Sequence, residues 1–160
     1  MIFIFLHGRM NQMSLKKDIS DKEQSIDIYI EETIRPSLEY TIANVLYQYY
    51  KDRYVCVSIK NNVWFEYADK RWDEIDSDII RDEGLSSFKG IYGLYSKKLK
   101  FLQEEDHRMM QEEYDPDRQA IRQQKIKRVI DVMINLKKKE FKNKVMTEAI
   151  ELFYKDINSM

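Results

Sequence analysis

From Asp117 to Lys155 the sequence contains neither glycine nor proline, and the whole 160-residue chain holds four glycines and two prolines. Folds made of many short strands need tight turns, and tight turns draw on these two residues for their backbone angles. A chain this poor in both is steered toward long helices with few reversals. The apolar residues of the stretch agree. Ile121, Ile126, Val129, Ile130, Met133, Ile134 and Leu136 form one amphipathic stripe, and Phe141, Val145, Met146, Ala149, Ile150, Phe153 and Tyr154 form another. The spacing predicts two helices with a joint around Lys137-Lys138-Lys139.

Nearer the start, Ser25 is placed to cap a short helix over residues 26–34, and Pro36 to open the next. Residues 37–51 carry Leu38, Ile42, Val45, Leu46 and Tyr49 at helical spacing. The period then falls to two. Residues 54–59, 63–67 and 71–75 read as strands, joined by a two-residue turn at Asn61-Asn62 and a second turn at Ala68-Asp69-Lys70. In that register Ile59 faces Trp64 and Tyr67 faces Trp72. Val55, Val57, Ile59 and Trp64, with Ile75, share one face; Phe65, Tyr67 and Trp72 share the other. Both faces are apolar, so both need cover. Helices, a partner or nucleic acid are the candidates for the second cover.

Residues 79–95 are helical in pattern but interrupted by Gly84, Gly90 and Gly93, which predicts two short helices or one with a break. An acidic helix over 98–113 follows, ending near Asp115-Pro116. The expected fold class is α+β, mostly helical, with a small three-stranded antiparallel meander packed against helices. The folded part is expected at residues 25–156, behind a flexible leader at 1–24. The apolar run Ile2-Phe3-Ile4-Phe5-Leu6 is too short for a signal-peptide core or a membrane span, so it is assigned to that leader.

Chemistry-bearing motifs are scarce. Gly84 to Gly93 matches no phosphate-binding loop. His7 and His107 have no partner at ligand spacing, so neither a metal nor a cofactor is expected. The acidic Glu104-Glu105-Asp106-His107 reads as a solvated helix face, and Cys56 as a small buried strand residue. No acid pair is singled out for proton transfer, and this chain is expected not to be an enzyme. Net charge is −1, yet its distribution is uneven: a basic stretch from Asp117 to Lys144 follows an acidic one from Gln103 to Asp115. Lys137, Lys138, Lys139, Lys142 and Lys144, with Arg71 beside a turn, are the candidates for contact with nucleic-acid phosphates. The competing account is that these cations solubilise a helix face or pair with the acidic helix.

One stretch stands apart. VWFEYADKRWDEI brings both tryptophans within eight residues of each other, around a polar turn. A packed hairpin core, a stacking platform or the mark of a known module would each account for it. KDRYVCVSIKNNVWFEYADKRWDEID, taken with FKNKVMTEAIELFYKD, resembles the helicase-associated N-terminal domain of poxvirus-type primase–helicases, replicative proteins of large DNA viruses and phages. The residues carrying the resemblance are Tyr54, Cys56, Trp64, Phe65, Tyr67, Trp72, Phe141, Asn143, Phe153 and Tyr154. In that family the domain lies between a primase and a superfamily 3 ATPase, and neither domain's motifs occur in this sequence. The resemblance therefore implies a non-catalytic module from a truncated gene, a split gene or an excised domain. Its expected partners are DNA and other primase or helicase domains or subunits, with no membrane, inside an infected cell's cytoplasm or virion factory. An interaction or regulatory fragment without nucleic-acid binding is the alternative. The tryptophans are expected on opposite faces of the sheet, each against a helix.

Overall fold

A computed structural model of the protein describes residues 21–33 and 39–159. The apolar run at 2–6, most of the expected leader and the expected helix start at Pro36 lie outside them. Helix α1 covers residues 21–33, five residues longer at its start than the spacing predicts. Ser25 is therefore inside the helix, where its hydroxyl donates to the Lys22 carbonyl (2.8 Å) rather than capping. Tertiary contacts hold the added turn: Glu23 pairs with Lys97 (2.7 Å) and the Lys22 ammonium lies over the Tyr49 ring.

Helix α2, Glu39–Tyr50, buries Ile42, Ala43, Val45 and Leu46, the face set by its apolar period. Three strands follow, β1 Tyr54–Ser58, β2 Val63–Ala68 and β3 Arg71–Ile75, paired antiparallel in that order. Asp69 and Lys70 join β2 to β3 with φ of 52° and 65°, the left-handed pair that the strand twist favours in a two-residue hairpin. The first hairpin departs from the expected Asn61-Asn62 turn. Residues 59–62 make a longer loop in which Asn62 alone has positive φ, and the register slips between Cys56 and Ser58. Trp64 consequently faces Cys56, not Ile59, while Tyr67 faces Trp72 as predicted.

A one-residue slip exchanges the two faces of a strand. Cys56, Trp64 and Ile75 now share the inner face, whereas Val55 joins Phe65, Tyr67 and Trp72 on the outer one. Ile59, expected inside, is exposed. The cause is local. The Asn62 side chain accepts from the Trp64 indole N–H (2.7 Å) and donates to the Ser77 hydroxyl (2.9 Å). An asparagine assigned by sequence to a turn is thereby committed to supporting the buried indole.

Asp76 caps α3, Ser77–Arg81, by accepting from the Asp78 amide (2.8 Å). A π-helical turn, Asp82–Ser86, follows, and α4, Ile91–Glu112, begins after a bend. The predicted break falls in this bend, and two glycines make it possible. A Cβ on Gly93 would lie 1.9 Å from the Phe88 carbonyl oxygen, and one on Gly90 would lie 2.3 Å from that of Glu83. Helix α5, Pro116–Asn135, is capped by Asp115, and α6, Lys139–Phe153, follows the predicted joint.

Helix α6 packs on α2 and β1, and α4 packs on α5. After α6 the Lys155 amide donates to the Cys56 carbonyl (2.9 Å), which closes the outer edge of β1. Strand β3 is the other edge, and its side away from β2 has no partner strand among the described residues. The architecture is the expected one, mostly helical α+β with a small open sheet.

Candidate functional site

The motif residues divide into two groups. Tyr54, Cys56, Trp64 and Phe153 converge in the core, each at most 3% exposed. Phe153, at the last turn of α6, meets the Trp64 ring at 5.3 Å and the Tyr47 ring at 5.1 Å. Tyr54 lies against Tyr50 (5.2 Å), with the Arg53 guanidinium beside both rings and paired with Glu66 (2.8 Å). Burial pushes the Cys56 thiol up, outweighing a backbone hydrogen bond at Ser58. A thiol so placed resists ionisation and is a poor nucleophile.

The second group faces outward. The Tyr67 and Trp72 rings meet at 5.2 Å, tilted by 52°, yet they remain 45% and 37% exposed. The expected helix against each indole is met at Trp64 by Phe153 of α6, whereas the ring beside Trp72 is that of a strand residue, Tyr67. Helices cover the inner face, whereas this end of the outer face opens to solvent beside the unpaired edge of β3. Tyr154 is also exposed, and Phe141 is half-buried. The Asn143 side-chain oxygen accepts from Arg81 (2.9 Å), tying α6 to α3.

Most of the candidate cations are engaged within the chain. Arg71 pairs with Asp73 on its own strand (2.9 Å). The Lys137 ammonium lies 4.0 Å from the Tyr92 ring centroid and donates to the Ser86 carbonyl. Lys142 is nearly buried, with its ammonium against Asp82 (2.8 Å) and the Ser86 hydroxyl (3.3 Å). Lys144 sits 3.8 Å from Glu140. Lys138 and Lys139 are exposed and have no side-chain partner among the described residues. Nor does the fold gather the six. Arg71 opens β3 at the second hairpin, roughly 13 Å of strand from Ile75 at about 3.3 Å per residue. Of the lysines, Lys137 and Lys142 dock on the π-helical turn beyond α3.

That docking explains the basic joint. Arg81, then Lys142, hold the Asp82 carboxyl well below the usual carboxylate range, against a smaller opposing effect of burial. Two further charge networks were not legible as partners in sequence. Burial opposes ionisation of both Lys98 and Glu31, but their mutual contact and the neighbours Asp27 and Lys125 prevail, raising Lys98 and lowering Glu31. This cluster joins α1, α4 and α5, and Lys98 within it is only 8% exposed. Asp106, expected on a solvated face, is instead buried and bound by Arg122 (2.8 Å) and Gln123 (2.6 Å). The acidic and basic helices thus neutralise each other in part. The available signal was Asp106 at helical spacing from Leu102, on the buried side of α4.

Among the described residues no cluster of histidine, cysteine and carboxylates could hold a metal ion, and no helix is long and apolar enough to cross a membrane. Sequence reasoning also missed one surface feature. Phe88, at the glycine bend, is 71% exposed and meets Tyr92 edge-on at 5.0 Å, with Lys137 at 5.7 Å. Its signal was the four-residue spacing of two aromatics between glycines.

No protein-family model matches the chain. A 56-residue stretch is 46% identical to part of the protein named "Putative helicase L207/L206" of Acanthamoeba polyphaga mimivirus. That stretch is 35% of this chain and spans 6% of the mimivirus protein. Part of this chain is therefore similar to a small piece of a viral protein named as a helicase.

Proposed function

We propose that this chain is a non-catalytic module of a viral DNA-replication helicase of the primase–helicase type, and that it contacts neighbouring domains or subunits through the outer face of its sheet. The observation that carries the reading is the tilted ring pair Tyr67 and Trp72, partly exposed to solvent beside a strand edge unpaired among the described residues. Aromatic rings of this size contribute most where a partner removes them from water. An unpaired edge also offers main-chain hydrogen bonds to an incoming strand. The partial likeness to a mimivirus protein named as a helicase supports the setting. A regulatory fragment that works outside a replication motor is the second reading. It is favoured by the net charge of −1 and by the internal pairing of Arg71, Lys142 and Lys144.

Sedimentation velocity of the purified chain, mixed with primase and ATPase portions of a replicative helicase from the same source, tests the proposal. A complex is expected, and Trp72→Ala should weaken it about tenfold while leaving the fold intact. Independent sedimentation of all components would defeat the helicase-module reading in favour of the second. Nucleotide hydrolysis by the purified chain would defeat its non-catalytic part.

A further inference from the structure

The corner where the glycine bend meets the α5–α6 joint has no part in the sheet-face contact. Phe88 is the most exposed large apolar side chain among the described residues. Gly90 and Gly93 let the bend close tightly beneath it, since a Cβ at either would strike the carbonyl of Glu83 or of Phe88. Tyr92 supports the ring edge-on from one side (5.0 Å), leaving a face of Phe88 to solvent. Lys137 adds a fixed positive charge, since its ammonium is held between the Tyr92 ring and the Ser86 carbonyl, 5.7 Å from the Phe88 centroid.

Two of the acids on the neighbouring segments are already matched. Asp82 is bound by Arg81 and Lys142, and Glu140 faces Lys144. Lys89, next to Phe88, and Lys138 and Lys139, next to Lys137, remain exposed without such partners among the described residues. An open aromatic face, with unmatched lysines on residues adjoining Phe88 and Lys137, complements an unstacked base with phosphates on either side. A duplex hides its base faces, so it meets only the cations.

We propose that this corner binds single-stranded nucleic acid, with one base stacked on Phe88 and the adjoining phosphates held by Lys89, Lys138 and Lys139. The inference goes beyond the sheet-face reading and does not require it, since it uses neither Trp72 nor the β3 edge.

Fluorescence anisotropy of labelled oligo-dT, and of a duplex of equal length, titrated with the full chain at low and moderate salt, tests it. Oligo-dT is expected to bind more tightly than the duplex. Phe88→Ala should weaken the single strand about tenfold and leave the duplex unchanged, while Phe88→Trp should retain binding. The double variant Lys138→Ala/Lys139→Ala should reduce the salt slope for oligo-dT by about 1.4, since each phosphate left without its lysine lowers the slope by about 0.7. Because Phe88 is largely in water, its replacement leaves the fold in place, which circular dichroism verifies. Equal affinity for both nucleic acids, an indifferent Phe88→Ala variant, or no binding at low salt would each overturn the proposal. Displacement of oligo-dT by polyglutamate at equal charge concentration would overturn it too, in favour of an acidic protein partner. Trp72→Ala should leave oligo-dT binding intact, so a failure here is separable from a failure of the helicase contact.

Discussion

Two tryptophans eight residues apart meet opposite fates. Trp64 is 1% exposed, its ring against Phe153 and its N–H bound by Asn62; Trp72 is 37% exposed, with the Tyr67 ring beside it. Both belong to the same small sheet, and both are flanked by aromatic and charged residues. What separates them is parity along the strands and the side on which α2 and α6 lie. Burying an indole removes about 150–250 Å² from water, on the order of 5 kcal/mol. Trp64 collects nearly all of that stabilisation within the chain, whereas for Trp72 the 37% still exposed is available to a partner. A tryptophan is therefore evidence of an aromatic need, and only its surroundings tell whether the need is for folding or for recognition.

The largest test breaks the inner side. Trp64→Ala should cost about 3–5 kcal/mol, by loss of the buried ring and by orphaning the Asn62 side-chain oxygen. Urea unfolding followed by circular dichroism measures it, and a cost below about 1 kcal/mol would remove the distinction between the two indoles. The same contrast holds between cations. Lys98→Met should cost about 2 kcal/mol, because Asp27 and Glu31 lose a partner at a buried site, while Lys138→Ala should stay within about 0.5 kcal/mol. Parallel urea titrations compare them directly.

Trp72→Ala comes next, with a cost expected below about 1 kcal/mol, since its ring is partly solvated and gives up a tilted ring contact with Tyr67. A cost as large as that of Trp64→Ala would mean that the outer face is already part of the folding core. The smallest effect is acid sensitivity. Glu31 and Asp82 are held below their ordinary values. Their contribution is therefore complete above the usual carboxylate range, near about 4, and fades as pH falls through the lowered folded values. Half of the Asp82 side chain faces solvent, which keeps its share small. Unfolding midpoints should be flat from about pH 7 to 5 and decline below about 4. Lys142→Met should make that decline shallower. An unchanged profile in the variant would deny the Asp82–Lys142 pair any role.

Local periodicity was enough to read much of this architecture. The helical runs that became α2, α5 and α6, the three strands and the joint at Lys137-Lys138-Lys139 were all legible, because burial of one helix face or one strand face leaves a repeat of 3.6 or 2 in the residues. The first hairpin was not. Asn61-Asn62 has the composition of a two-residue turn, but Asn62 is held by Trp64 and Ser77, and neither bond is visible in a run of letters. The slip moved Val55 and Ile59 away from their expected face.

The candidate site was less legible still. The excess of lysine near residue 140 was plain, but charge clustering records neither the Asp82 carboxylate nor the Ser86 carbonyl waiting across the fold. Those partners stand more than fifty residues away in the chain, and only packing sets α6 against the π-helical turn. Phe88 was passed over for the converse reason. An aromatic in an apolar pattern looks like core, but Phe88 falls at the glycine bend and is 71% exposed. Sequence alone determined where helices and strands form, since that depends on spacing between neighbours. Tertiary structure decided which of two like residues is buried and which lysines stay available, since burial and pairing depend on what the fold brings from far away.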